Sequence, residues 1–257
     1  MKFLFLGSGT SHGVPVIGCD CAVCTSADPR NKRTRVSALV RTEGASLLID
    51  TPPDFRAQML RHNIARFDAV LMTHSHADHL FGMDDVRIIC AREKRAMPIY
   101  GNAETLRTIR EKFDYVFRDE GKAFGWEIPR LELREIMQTS DVFGIPVTPV
   151  PIHHACWTIH GYRIGGLAYL TDCSGIPETS LPLLEGLDTL VIGAIRHEPH
   201  RSHFAVYQAL EAIERIKPRR AFLTHISHRL DHVETEAALP PHVRLAYDGL
   251  ELEVPGP

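Results

Sequence analysis

No stretch of this 257-residue chain is apolar for anything near the ~20 residues that a membrane-spanning helix needs, which excludes a helical membrane protein. Neither sign of charge is in excess. With 29 Lys+Arg against 32 Asp+Glu, a net of -3, there is no global basic field to gather nucleic acid and no acidic excess of the kind found in disordered tails. Lysine-rich runs are lacking, as are internal repeats that would announce a solenoid or propeller. The opening apolar run, Phe3-Leu4-Phe5-Leu6, stops at Gly7, short of the ~7–15 continuous residues of a secretory signal. It reads instead as a first buried strand and a glycine-rich turn, and the expected compartment is the cytoplasm. What remains, at 44% hydrophobic and 24% charged residues, is an ordinary globular composition. Chains of this length routinely form one domain, and one is expected over residues 1–257.

What is abundant is ligand chemistry: fifteen histidines beside six cysteines. Imidazole and thiolate are the main protein ligands for zinc-like metals. In a reducing compartment, closely spaced cysteines are expected to be metal ligands or free thiols rather than disulfides.

Short apolar runs bounded by turn residues or histidines predict buried strands at 47–49, 69–72, 167–170, 190–192 and 221–223, with further strands at 36–40, 145–152, 243–246 and 250–254. Helical spacing predicts helices at 55–61, 85–91, 104–117 and 204–216. The charged, irregular stretch Arg118–Arg130 reads as a loop. Interleaved strands and helices predict an α/β fold with two central sheets. Four chemically capable residues fall just beyond strand ends: His74, His154, Asp172 and His225.

Thr73-His74-Ser75-His76-Ala77-Asp78-His79 packs three imidazoles and a carboxylate into six consecutive positions after a hydrophobic strand. A loop there can aim His74 and His76 toward one cation, and Asp78 with His79 toward a second. These N and O donors suit zinc, iron or manganese. The competing reading is a solvated histidine loop, against which stand the strand context and the distant partners. Asp172 has its own bland alternative, a carboxylate that ends a strand with turn chemistry.

The pattern His74-x-His76-x-Asp78-His79, with His154, Asp172 and His225, closely resembles the ligand set of the metallo-β-lactamase superfamily. The resemblance implies a four-layer αβ/βα sandwich with two metals at one edge of the paired sheets. His74, His76 and His154 would hold one metal, Asp78, His79 and His225 the other, with Asp172 and a hydroxide as bridges. His154 is chosen over its neighbour His153 because it lies seven residues before Gly161-Tyr162, a spacing similar to the family's. His153 is the alternative.

Cys19-x-Cys21-x2-Cys24 places three thiols within six residues, too tight for mutual disulfides and well suited to a tetrahedral thiolate cage. His228, three residues beyond His225, is the chosen fourth ligand. A closed Cys3His zinc site would tie the 19–24 loop to the 225–228 segment. Unligated or redox-active thiols are the alternative. Together with Gly7-Ser8-Gly9-Thr10-Ser11-x-Gly13-x-Pro15, these residues look like the PhnP-type branch, the phosphoribosyl cyclic phosphodiesterases.

That branch implies two divalent cations, Zn2+ or Mn2+, at the active site and one structural Zn2+. The implied substrate is a small cyclic phosphodiester such as 5-phosphoribosyl 1,2-cyclic phosphate. A homodimer is implied by the same resemblance; neither a nucleic acid nor a membrane is expected as partner. Two metals would supply a hydroxide nucleophile and clamp the phosphoryl oxygens. The leaving alkoxide then needs a proton. In the stretch 196–204, His203 matches a proposed acid of the family and His200 is the second choice, so the catalytic candidates are His203, His200 and the ligand Asp78. Arg196 and Arg201 could grip a phosphate or simply be solvated. Asp50, ending the strand 47–49, suits a carboxylate that orients a ligand imidazole. Competing activities within the superfamily are tRNA 3′-processing nuclease and di-iron redox enzyme; a non-catalytic zinc scaffold would not need seven ligands.

Overall fold

In a computed structural model, described for residues 1–118 and 128–257, the chain forms two seven-stranded sheets. The strands are β1 Lys2–Gly7, β2 Ser37–Arg41, β3 Ser46–Ile49, β4 Ala69–Leu71, β5 Met97–Gly101, β6 Leu131–Glu135, β7 Ser140–Val142, β8 Ile145–His154, β9 Trp157–Ile164, β10 Leu167–Leu170, β11 Thr189–Gly193, β12 Arg220–Thr224, β13 Val243–Leu245 and β14 Glu251–Glu253. One sheet runs β14-β1-β2-β3-β4-β5-β6 and the other β13-β12-β11-β10-β9-β8-β7. The expected loop Arg118–Arg130 lies, apart from its first residue and its last three, outside the described residues.

The period of two along each strand explains the layering. Phe3 and Phe5 of β1 face the second sheet, where they meet Tyr169 and Phe222. Leu4 and Leu6 of the same strand turn outward with Leu39 and Leu48, onto the helices Phe55–Arg61, Val86–Glu93 and Ala103–Lys112. In the second sheet, Leu167 and Tyr169 point inward while Ala168 and Leu170 pack outward with Val206, Ala209 and Ile213 of the helix Val206–Ile216. Both faces of each sheet are therefore covered, giving helix, sheet, sheet and helix: the expected αβ/βα sandwich. No helix among the described residues is long and apolar enough to cross a membrane.

Each sheet is half antiparallel and half parallel. β3-β4-β5-β6 run parallel in the first, and β10-β11-β12-β13 in the second. Ligand sites in such sheets gather beyond the carboxyl ends of parallel strands. Asp50 follows β3, Thr73 and His74 follow β4, Asp172 follows β10 and His225 follows β12. Three of these, Asp50, Asp172 and His225, have φ of 61°, 56° and 57°. Eight non-glycine residues among those described have positive φ, and three of them stand at these strand ends.

Two expectations are corrected. The helix expected over 104–117 is two, Ala103–Lys112 and Asp114–Phe117, interrupted at Phe113, whose ring turns into the outer core. The segment after His76 is not loop: Ala77–Leu80 is a single helical turn that carries Asp78 and His79.

Candidate metal centre

Gly82 fixes the approach of the histidine motif to the β3 end. Its N–H donates to Thr51 O at 2.9 Å, Thr51 N–H donates to His79 O at 2.8 Å, and a Cβ on Gly82 would lie 2.1 Å from Pro52 O. This close seating brings His79 onto Asp50. The fully buried Asp50 carboxylate accepts from Thr73 N at 2.8 Å through one oxygen, and from Thr73 Oγ1 and His79 Nδ1, each at 2.8 Å, through the other. Because the Thr73 hydroxyl spends its hydrogen on Asp50, it accepts from His74 Nδ1 at 3.1 Å. His154 Nδ1 donates to Ser202 O at 2.8 Å. The Nε2 lone pairs of His74, His79 and His154 are thereby directed away from these partners, as ligating imidazoles require.

Those lone pairs converge. Ligand atoms of His74, His76 and His154 lie within 4.8 Å of one another, as do those of Asp78, His79 and His225. Asp172 joins the groups: its oxygens lie 3.1 Å from His79 Nε2 and 3.2 Å from His225 Nε2, and it also groups with His74. The structure thus brings together all seven expected residues, and it places His154, not the exposed His153, against His74 and His76.

His74 Nε2, His79 Nε2 and both ring nitrogens of His225 are buried without a hydrogen bond. A buried polar group left so costs roughly 1–3 kcal/mol; the Nε2 atoms of His79 and His225 both face Asp172, an arrangement that a shared cation would satisfy. The electrostatics agree. Burial alone would lower His79, yet Asp172, Asp78 and Asp50 hold it well above the usual imidazole range. Burial would raise Asp172, but His225 and His79 keep it well below the usual carboxylate range. The donor set fits divalent cations with N and O preference.

Asp50→Asn offers one acceptor oxygen where three donors converge. It is expected to lower metal affinity or turnover about 10–100-fold. Competition with a metallochromic chelator checks this, and unchanged affinity would remove Asp50 from the organisation of the site.

His203, in the segment before the helix Val206–Ile216, stacks on His225 with centroids 4.7 Å apart and a 20° interplanar angle. It lies 4.8 Å from His154 in the same measure, and its Nδ1 is 3.5 Å from Asp172. Burial first, then His225, depresses His203 to about 3. His200 is 5.0 Å from His203 and accepts from Ser202 N at 3.3 Å. Arg196 is committed to its own loop, donating to Glu198 O at 3.2 Å and Pro199 O at 2.7 Å, which leaves the exposed Arg201 as the freer cation of the pair. The Ser202 carbonyl on His154 was not legible, because a backbone acceptor leaves no residue-type signal.

The three cysteines and His228 lie together. Sulfurs of Cys19, Cys21 and Cys24 lie 3.3, 3.5 and 3.6 Å from His228 Nδ1. Zn–S and Zn–N bond lengths at a tetrahedral angle give a donor-to-donor edge of about 3.5 Å. Cys24 N–H donates to the Cys21 sulfur, the main cause holding that thiol down at about 6, whereas burial pushes Cys24 up to about 11. The site is continuous with the first: Ile226, beside His225, donates to Ser8 O at 2.9 Å and accepts from Thr10 N at 3.1 Å.

Residues 46–226 match the family model of the beta-lactamase superfamily domain. A crystal structure of a new diphosphatase from the PhnP family is 42% identical and superimposes on 99% of this chain and 98% of its own at a TM-score of 0.92. An octanoyltransferase from Porphyromonas gingivalis is 41% identical over 256 residues; these are 98% of this chain, which spans only 51% of that protein's length. Zn(2+)-bound PqqB from Methylobacterium extorquens, at 20% identity and TM-score 0.76 over 99% of this chain and 100% of that one, shares the fold. The chain belongs to the β-lactamase superfamily and, within it, to the PhnP family.

Proposed function

We propose that the chain hydrolyses a small phosphate diester, with a cyclic phosphoribosyl phosphate as the first substrate to try. The observation that carries this reading is the pair of three-residue donor groups joined through Asp172, with His203 stacked beside it. His74, His76 and His154 would hold one divalent cation, Asp78, His79 and His225 a second, and Asp172 both. When bound, the cations neutralise phosphoryl charge and acidify water.

The chain's own residues do the rest. Asp50 and Ser202 O hold imidazoles in one tautomer each, so the donor geometry is set before substrate arrives. Asp172 is itself fixed by Thr171 Oγ1 at 2.8 Å. His203 lies beside the donor groups with 13% side-chain exposure, within reach of an entering ester oxygen. An anionic phosphate beside that ring raises its proton affinity, which suits it to protonate the leaving alkoxide. Cys19, Cys21, Cys24 and His228 would hold a structural zinc that keeps the His225 segment in register with the N-terminal loop.

The similar PhnP-family chain is described as a diphosphatase, so a phosphoric anhydride is the second substrate class. Phosphorus-31 NMR with 5-phosphoribosyl 1,2-cyclic phosphate, and separately with a diphosphate diester, tests both against a chelator-treated control. Ring opening only in metal-loaded protein supports the diester reading. Cleavage of the anhydride alone moves the assignment to that class. Two intact substrates with loaded metals would overturn the phosphate reading.

A further inference from the structure

A cavity of about 480 Å³ opens beside the donor groups, and His74 and His76 form part of its wall. Its volume lies in the ~300–1,000 Å³ range of small-molecule sites. Two large aromatic side chains line it, Phe81 and Trp157, each 50% exposed. Rings of that size are ordinarily buried, and grouped exposure marks a binding surface rather than a scattered accident. Both are held in place. Trp157 opens β9 directly opposite His154 in the strand register, and its ring sits 4.8 Å from that of His76 at a 48° tilt. Phe81 ends the helical turn that carries Asp78 and His79, and its ring meets Phe113 edge-on at 6.4 Å.

The cavity's polar lining is sparse in free charge. Glu104 is tied to Arg107 at 2.6 Å, while Lys112 is exposed and makes no ion pair among the described residues. The two half-exposed rings offer apolar surface on which a flat aromatic group of a substrate can stack.

We propose that this cavity is the specificity subsite of the phosphatase centre. It takes a flat aromatic group of the substrate, a nucleobase or aryl ring, against Trp157 and Phe81 while the phosphoryl group lies on the His/Asp cluster. The inference rests on the phosphoesterase reading of that cluster and deepens it, naming a phosphate ester that carries an aromatic group as the substrate class this cavity fits. Trp157 is then a specificity-determining residue whose backbone partner, His154, belongs to the donor set.

Calorimetric titration of the metal-loaded protein with phenylphosphonate and methylphosphonate separates the two ideas without using turnover. Phenylphosphonate is expected to bind about tenfold more tightly than methylphosphonate, within the range of aromatic stacking found by alanine substitution. In Trp157→Ala that preference falls to about one, and in Trp157→Phe most of it returns, so a general packing defect cannot pass for loss of the subsite. Equal affinities in the parent protein, or a preference that survives Trp157→Ala, overturn the subsite while leaving the phosphate centre standing. If neither phosphonate binds a protein that carries its metals, the phosphoesterase reading itself fails, and this inference with it.

Discussion

His203→Ala is expected to slow hydrolysis of a diester with an alkyl leaving group by about 10²–10⁴-fold, the usual weight of a positioned general acid. The same variant should hydrolyse a 4-nitrophenyl diester with little loss, because that leaving group departs without a proton. The selectivity follows from placement. His203 contacts both donor groups, stacking on His225 and lying beside His154, yet it stands outside the seven-residue set. With Asp172 and His154 it also forms a group whose ligand atoms lie within 4.8 Å of one another. Measuring metal content by plasma mass spectrometry beside the two rates separates the roles. Retained metal with a leaving-group-dependent loss supports the acid; lost metal, or equal loss on both substrates, excludes it.

Much of this site was legible because its densest part is local. His74 through His79 occupy six positions after one strand, and no core tolerates three imidazoles and a carboxylate together. The distant partners stand at strand ends: Asp172 and His225 follow strands of the parallel half, where such sheets present ligands, and His154 ends the antiparallel β8. Their spatial meeting needed either a family resemblance or a fold. The substrate cavity was not legible at all. Phe81, Lys112 and Trp157 come from three separate segments, and nothing in a sequence marks an aromatic residue as half-exposed.

Strands were missed for equally physical reasons. β6, Leu131–Glu135, is a sheet edge with three charges in five residues, a pattern that solvates an edge and hides a strand. β9, Trp157–Ile164, carries Gly161 at its centre, and a glycine inside a strand weakens the strand pattern. In place, a Cβ on Gly161 would lie 2.3 Å from Leu170 Cδ2 and 2.8 Å from Tyr169 O, so the glycine is demanded by the neighbouring β10.

The second large effect belongs to Cys24→Ser. Cys24 is the buried thiol of the cysteine cluster, 4% exposed, and its sulfur accepts from Val16 N at 3.3 Å as well as meeting His228. Serine offers a shorter, harder donor that cannot complete a thiolate cage. Structural zinc contributes about 10–16 kcal/mol of apparent binding free energy in isolated finger peptides. Here the segments on either side of the cysteine loop are also joined to residues 226–231, by Asn31 to Asp231 at 2.8 Å and by Ser8 and Thr10 to Ile226, so part of the fold survives loss of the ion. The expected result is therefore a lost zinc equivalent and a thermal unfolding midpoint lowered by many degrees, not an unfolded chain. Turnover should fall with them, because His225 sits at φ 57° three residues from His228, and that strained backbone needs both neighbours held. Cys173→Ser is the control: Cys173 is buried outside the cluster and donates to Gly175 O. If Cys24→Ser keeps its zinc and its midpoint, the four residues do not form a structural metal site, and the positioning of His225 must come from the Ser8 to Ile226 ladder alone.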